Sequence, residues 1–278
     1  MARHNYVSVI AFVRKEPKFK DIIDGRAGIV GLTTIMSGRD YEKAKTGYQL
    51  NSVSFCARSQ EKEIVEEMEK LQLLDIVEIT GFLATREVDK KEECPFCNAV
   101  NRRVEACVAN GKVKSGGNEI FVYPITIRVK QHCKSEQEAF EYLHKNKEDA
   151  NRVFILGNLT GPPIQGVLHD GKKQYTRFQV AINRKYCPKG GNEMYERTDY
   201  SYGDKALEDF QNLEKGALVF VDGALQARKF KEQYVCGVCG QEFDVRGRTL
   251  EVLSYDTEYL RLPRPEFETD DADDEDDE

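Results

Sequence analysis

The sequence predicts a mainly β chain: two tandem five-stranded Greek-key barrels joined by a helix and followed by a disordered acidic tail. Three observations lead there. First, one segment occurs twice. Gly81-Phe-Leu-Ala-Thr-Arg86 runs on to Cys94-Pro-Phe-Cys97, and Gly223-Ala-Leu-Gln-Ala-Arg228 runs on to Cys236-Gly-Val-Cys239; the shared glycine, leucine, arginine and both cysteines lie 142 positions apart. A period that long means two domains of one type, not a solenoid. Second, 278 residues accommodate two domains of about 130 residues, each able to bury its own core. Third, both halves run through strand, helix and strand signals in one order.

In the first half, residues 5–13 alternate, with Val7, Val9, Ala11 and Val13 on one face. A charged turn broken by Pro17 covers 14–20, and a second strand runs over 28–36. A polar loop at 39–47 precedes a third strand over 48–57, where Val53, Phe55 and Ala57 share a face. Residues 60–72 read as a helix with an Ile64, Met68, Leu71 stripe. Strands over 76–88 and 121–129 close the unit. Three strands, a helix and two strands is the order of an OB-fold, whose face binds oligonucleotides. Residues 135–146 read as a linking helix with a Ser135/Glu138 capping box.

The second half repeats the order. Strands are expected over 151–159, 176–183 (Phe178, Val180 and Ile182 inward), 198–202, 218–230 and 249–260. A Pro/Gly loop covers 186–192, and a helix over 205–213 carries a Leu207, Phe210, Leu213 stripe. The expected boundaries are a first domain over 1–131, a helical linker over 132–150, a second domain over 151–262 and a tail over 263–278.

The formal net charge is -7, but residues 266–278 hold ten acidic and no basic side chains. The remainder carries 41 basic against 38 acidic side chains, about +3. A mildly basic body suggests an anionic ligand, and a detached acidic tail suggests a separate task. No apolar run reaches the length of a membrane span, and no signal-peptide pattern opens the chain, so a cytoplasmic protein is expected.

Strand parity defines a candidate ligand face in the second half. From Gly223, Leu225 and Ala227 point one way, and Ala224, Gln226, Arg228 and Phe230 the other. Tyr200 and Tyr202 share a face of a neighbouring strand, and Arg177 lies on the strand before it. Tyr186 follows that strand beside Arg184 and Lys185. Guanidinium groups pair with phosphates, and aromatic rings stack on bases of any sequence. In the first half, Arg86 and Phe82 occupy the outward positions, while Val88 stands where the second half has Phe230.

Three blocks carry a family resemblance: Asn151-Arg-Val-Phe-Ile-Leu-Gly-Asn-Leu159, Asn192-Glu-Met-Tyr-Glu-Arg-Thr-Asp-Tyr200, and Lys215 through Phe230. In that order, across about 151–260, they resemble the bacterial single-stranded DNA-binding protein family. The resemblance implies an OB-fold that stacks bases on the rings at Tyr186, Tyr200, Phe230 and, by a gapped match, Tyr202. It implies single-stranded DNA as ligand and roles in replication, recombination and repair. The family usually has one OB-fold per chain and acts as a tetramer, so a homodimer of this chain would supply the same four. The family's acidic tail ends in an apolar tip that docks partners. This chain ends in Asp-Asp-Glu-Asp-Asp-Glu278, and its tail is expected to contact replication or repair proteins, or to compete with DNA.

Cys94/Cys97 and Cys236/Cys239 have the spacing of zinc knuckles, in which two thiolates reach one tetrahedral ion. A structural zinc takes four ligands, so one shared four-cysteine site is the simplest arrangement. The alternative is two local sites, with Cys107 or His132 completing the first and Cys187 the second. Cys56 and Cys133 read as plain thiols. No phosphate-binding loop, zinc-protease helix or nucleophile elbow is present, so no catalysis is expected. Other readings of the same features are a zinc-stapled adapter for a protein partner and an RNA-binding module.

Overall fold

The computed structural model describes residues 5–22, 25–36, 52–88, 91–102, 104–105, 114–115, 117–168, 171, 173–183 and 194–261. The expected loops at 39–47 and 186–192 and the tail lie outside them. The strands are β1 (Asn5–Val13), β2 (Lys18–Ile22), β3 (Gly25–Ile35), β4 (Ser52–Ser59), β5 (Asp75–Val88), β6 (Lys91–Glu93), β7 (Val100–Arg102), β8 (Val104–Glu105), β9 (Lys114–Ser115) and β10 (Gly117–His132) in the first half. The second half holds β11 (Asn151–Leu159), β12 (Ile164–Val167), β13 (Gln174–Asn183), β14 (Met194–Tyr202), β15 (Leu218–Val235) and β16 (Glu242–Arg261). Helices α1 (Lys62–Glu69), α2 (Glu136–Lys145) and α3 (Asp204–Asn212) separate them. None of the described helices is long and apolar enough to cross a membrane.

Two five-stranded barrels result. The first runs β1-β5-β10-β4-β3 and closes where β3 pairs back onto β1; the second runs β11-β15-β16-β14-β13 and closes where β13 pairs onto β11. β1 and β11 pair antiparallel, so both barrels share one twelve-stranded sheet with β2 and β12 at its ends. The junction pairs equivalent positions: Val7 stands opposite Val153. The inward residues read from alternation lie in the core, including Val7, Val9, Val53, Phe55, Phe178, Val180 and Ile182.

The two barrels are built by the same devices. Asn5 donates from Nδ2 to the Leu83 carbonyl at 2.9 Å and accepts from the Leu83 amide at 3.0 Å. Asn151 does the same with Leu225, at 2.8 and 2.9 Å. Each asparagine thereby fixes the first strand of its barrel to the strand that leaves for the cysteine hairpin. Two residues before each leucine, the chain crosses a neighbour closely. A Cβ on Gly81 would stand 2.1 Å from the Tyr123 carbonyl oxygen, and one on Gly223 2.2 Å from that of Leu253.

Helix α2 begins as the sequence suggests. Ser135 accepts from the Glu138 amide, while the Glu138 carboxylate reaches the Lys134 amide at 2.8 Å instead of closing on Ser135. In α1, Val65 and Met68 are buried, and Ile64 packs partly against the core. Helix α3 departs from its expected stripe. Leu207 and Phe210 are exposed, and Ala206 and Asp209 face inward with Leu213. The reason is polar anchoring. Asp209 accepts from the Tyr259 hydroxyl at 2.7 Å and the Thr257 hydroxyl at 3.3 Å, and Thr176 donates to the Ala206 carbonyl at 2.6 Å. These bonds, not hydrophobicity, orient α3.

The edge strands β2 and β12 were not expected, and β14, β15 and β16 outrun their expected ends. β15 and β16 stay paired as far as Val235 opposite Glu242. That hairpin projects beyond the barrel, where Phe243 and Val245 are buried in a small cluster with Cys94 and Cys236, a long-range contact that no local pattern reveals.

Candidate nucleic-acid interface

The outward face of the second barrel gathers polar and aromatic side chains from four adjacent strands. β13 supplies Tyr175 and Arg177, which stand opposite Tyr202 and Tyr200 of β14. β15 supplies Gln226 and Arg228, and β16 supplies Glu251 opposite Gln226. The three tyrosine rings lie together, with Tyr175 6.2 Å from Tyr200 and 6.5 Å from Tyr202.

A carboxylate holds this face in order. Glu251, only 3% exposed, accepts from Gln226 Nε2 at 2.7 Å and from Arg228 Nε at 2.9 Å. Gln226 also donates to the Tyr202 hydroxyl at 3.1 Å, and Arg228 donates to that of Tyr200 at 3.3 Å. The Arg228 guanidinium lies 5.2 Å from the Tyr200 ring centre, a cation–π placement. Burial raises the Glu251 carboxyl above its ordinary range against the pull of the Arg228 hydrogen bond. Burial likewise pushes Tyr202 up to about 12 and raises Tyr200 above its ordinary value.

Among the expected contact residues, Tyr200, Tyr202, Arg228 and Arg177 therefore meet on one face. Tyr200 is 6% exposed, Tyr202 and Arg228 are half-buried, and Arg177 is exposed. Tyr186, Arg184 and Lys185 lie outside the described residues, as do the side chains of Arg86 and Phe230. By backbone, Arg86 pairs with Glu119 and Phe230 with Gly247. Phe82 faces outward on the first barrel but is 7% exposed, because its ring stacks on Tyr123 at 4.9 Å and 14°. Two members were missed by sequence reasoning. Tyr175 shares its parity with Arg177 and could have been read from it. Glu251 becomes legible only once the register of β15 and β16 is known.

The four knuckle cysteines converge on one point. Cys94 Sγ lies 3.7 Å from Cys239 Sγ, and Cys97 Sγ lies 3.7 Å from Cys236 Sγ. All four sulfurs lie within 4.8 Å of one another. The repeat exchanges these two pairs, so their equal spacing is what a two-fold relation between the halves requires. The turns match as well. Asn98 and Gly240 donate to the Cys94 and Cys236 carbonyls, each at 2.9 Å, and both adopt positive φ, 57° and 71°. His132 takes no part, since its Nδ1 bonds Asp75 at 2.8 Å. Cys107 and Cys187 lie outside the described residues. Cys133 is buried, as expected.

A tetrahedral ion with metal–sulfur bonds of about 2.3 Å separates its sulfurs by about 3.8 Å. The two 3.7 Å pairs match that spacing and the rest lie within 4.8 Å, and four thiol donors suit a soft or borderline ion. The residues fit such a metal.

Residues 150–252 match the model of the single-strand binding protein family. A single-stranded DNA-binding protein of Aquifex aeolicus is 34% identical over 87 residues, 30% of this chain and 58% of the relative. Single-stranded DNA-binding protein 2 of Chlorobaculum tepidum is 29% identical over 111 residues, 38% of this chain and 72% of the relative. The aligned stretch thus spans little more than half the length of the Aquifex relative. The likeness in fold runs further. The crystal structure of the single-stranded DNA-binding protein of Thermus aquaticus superposes with a TM-score of 0.58 over 94% of this chain and 95% of its own, at 16% identity. The matched residues are those of the second barrel, so the likeness to the single-strand binding protein family rests on that barrel, while the likeness over the whole chain is one of fold.

Proposed function

We propose that this chain binds single-stranded DNA without sequence preference and protects it during replication, recombination or repair, without catalysis. The observation that carries this reading is the face of Tyr175, Tyr200 and Tyr202 with Arg177 and Arg228. Tyrosine rings stack on any base, and the two arginines supply phosphate contacts or further stacking. Arg228 covers the ring face of Tyr200 and must shift for a base to stack there, whereas Tyr175 and Tyr202 are half-exposed. Tyr186, Phe230, Arg184 and Lys185 extend the contact in this reading, with Arg86 and Phe82 as the first barrel's share.

Titration of a labelled oligothymidine at several salt concentrations, beside duplex DNA and RNA of equal length, tests it. Tight single-strand binding with log K falling against log salt is expected. No binding at low salt would refute the reading, and preference for RNA would make the face an RNA site.

The domain plan in this reading is a barrel over 1–131, a helical linker over 132–150, a barrel over 151–262 and a partner-recruiting acidic tail. Two chains would assemble a four-barrel unit. The four thiolates would hold one structural zinc that staples the two cysteine hairpins, which suits a reducing, cytoplasmic setting. Metal analysis of the purified chain should give one zinc per chain, lost in the Cys94→Ser/Cys236→Ser double variant. Two zinc ions per chain would contradict the shared site.

A further inference from the structure

The cysteine hairpins carry a feature that the metal does not use. Phe96, between the cysteines of the first knuckle, is 63% exposed, and Val238, its equivalent in the second, is 76% exposed. A Phe ring so exposed, on a turn held by the Asn98–Cys94 and Cys94–Ala99 backbone bonds, offers a ring face to a ligand.

Its position says which. The face that bears Gln226 and Arg228 does not stop at the barrel. With no register shift beyond Gly223, every second residue of β15 continues it out to Tyr234, which stands opposite Phe243. Tyr234 and Phe243 form a tilted ring pair 6.0 Å apart. The first knuckle packs onto this same face, where Cys94, Cys236, Phe243 and Val245 form one small cluster. By backbone register this row of positions runs from Gln226 to Tyr234, about 27 Å for eight residues of strand, and meets the knuckle that carries Phe96.

We propose that Phe96 is a further base-stacking residue, so that the metal-held knuckle extends the single-strand track beyond the barrel. A protein partner is the weaker occupant. It needs about 800 Å² of complementary surface on this side, whereas a base needs one ring face, and the hairpins offer one exposed ring with three exposed valines, Val100, Val235 and Val238. The proposal rests on the single-strand reading above and is separable from it.

The chain contains no tryptophan, so Phe96→Trp makes a lone reporter at the tip. Oligothymidine should quench and blue-shift its emission, while duplex of equal length should not. Phe96→Ala should keep the same zinc content and weaken oligothymidine binding about tenfold. If Phe96→Ala binds as tightly as the parent, and saturating oligothymidine leaves the indole emission of Phe96→Trp unmoved, the proposal fails while the single-strand reading stands. If the parent chain itself does not bind, both fail.

Discussion

The two barrels share a scaffold and differ in their outward faces. Each has an asparagine clamped to a leucine, a glycine at a close strand crossing and a knuckle turn with positive φ after its second cysteine. On the first barrel the described outward rings are already covered by neighbours. Phe82 stacks on Tyr123, and the Arg58 guanidinium lies 5.7 Å from the Phe121 ring centre. On the second, three tyrosines and two arginines surround a buried carboxylate. The repeat thus preserves what the fold requires and varies what a ligand would touch. A ring already stacked on its neighbour presents less surface to a base, so the second barrel should carry most of the single-strand affinity.

The largest effects should be those that treat the barrels alike. In Gly81→Ala and Gly223→Ala, the new Cβ meets a backbone carbonyl that cannot move without unpairing its strand. Each should cost about 4 kcal/mol or more of stability, measured by urea unfolding. A mild effect in only one barrel would show that the close crossing is not a shared requirement.

The faces should then separate. Tyr202→Ala should weaken oligothymidine binding about tenfold by removing one stacking ring. Phe82→Ala should weaken affinity only about twofold, since its stacked ring has a small share of the contact, and cost about 2 kcal/mol of stability, because it empties a packed ring stack. Fluorescence anisotropy and urea unfolding on both variants give the two readouts. Equal losses of affinity would mean that both faces take DNA alike.

Much of this contrast was legible in the sequence. Period-two alternation found the barrel strands, since a half-buried strand must alternate. The 142-position repeat found both barrels and both knuckles. What escaped needed long-range pairing. Whether Cys94 meets Cys236 depends on where two hairpins end, which no local pattern encodes. Glu251 reads as an ordinary strand-surface residue until Gln226 and Arg228 are placed beside it. Helix α3 misled because Asp209, which looks solvent-facing, is the residue its partners bury.

The smallest effect should come from the feature that most distinguishes the second face. Burial holds the Glu251 pKa above its ordinary value of 4.5. The native state then keeps that proton to higher pH than the unfolded chain, so stability falls as pH rises from the unfolded pKa through the native one. Glu251→Gln removes this contribution while leaving an acceptor for Arg228. Its stability relative to the parent should therefore rise as pH rises from the unfolded carboxyl value towards neutrality, read from urea midpoints at each pH. Low-salt affinity for oligothymidine should rise about threefold, since one negative charge leaves the face. Should the variant instead lose ground to the parent as pH rises, the Arg228 and Gln226 hydrogen bonds outweigh the burial cost. Glu251 would then be a net stabiliser of the second face, with no counterpart among the described residues of the first.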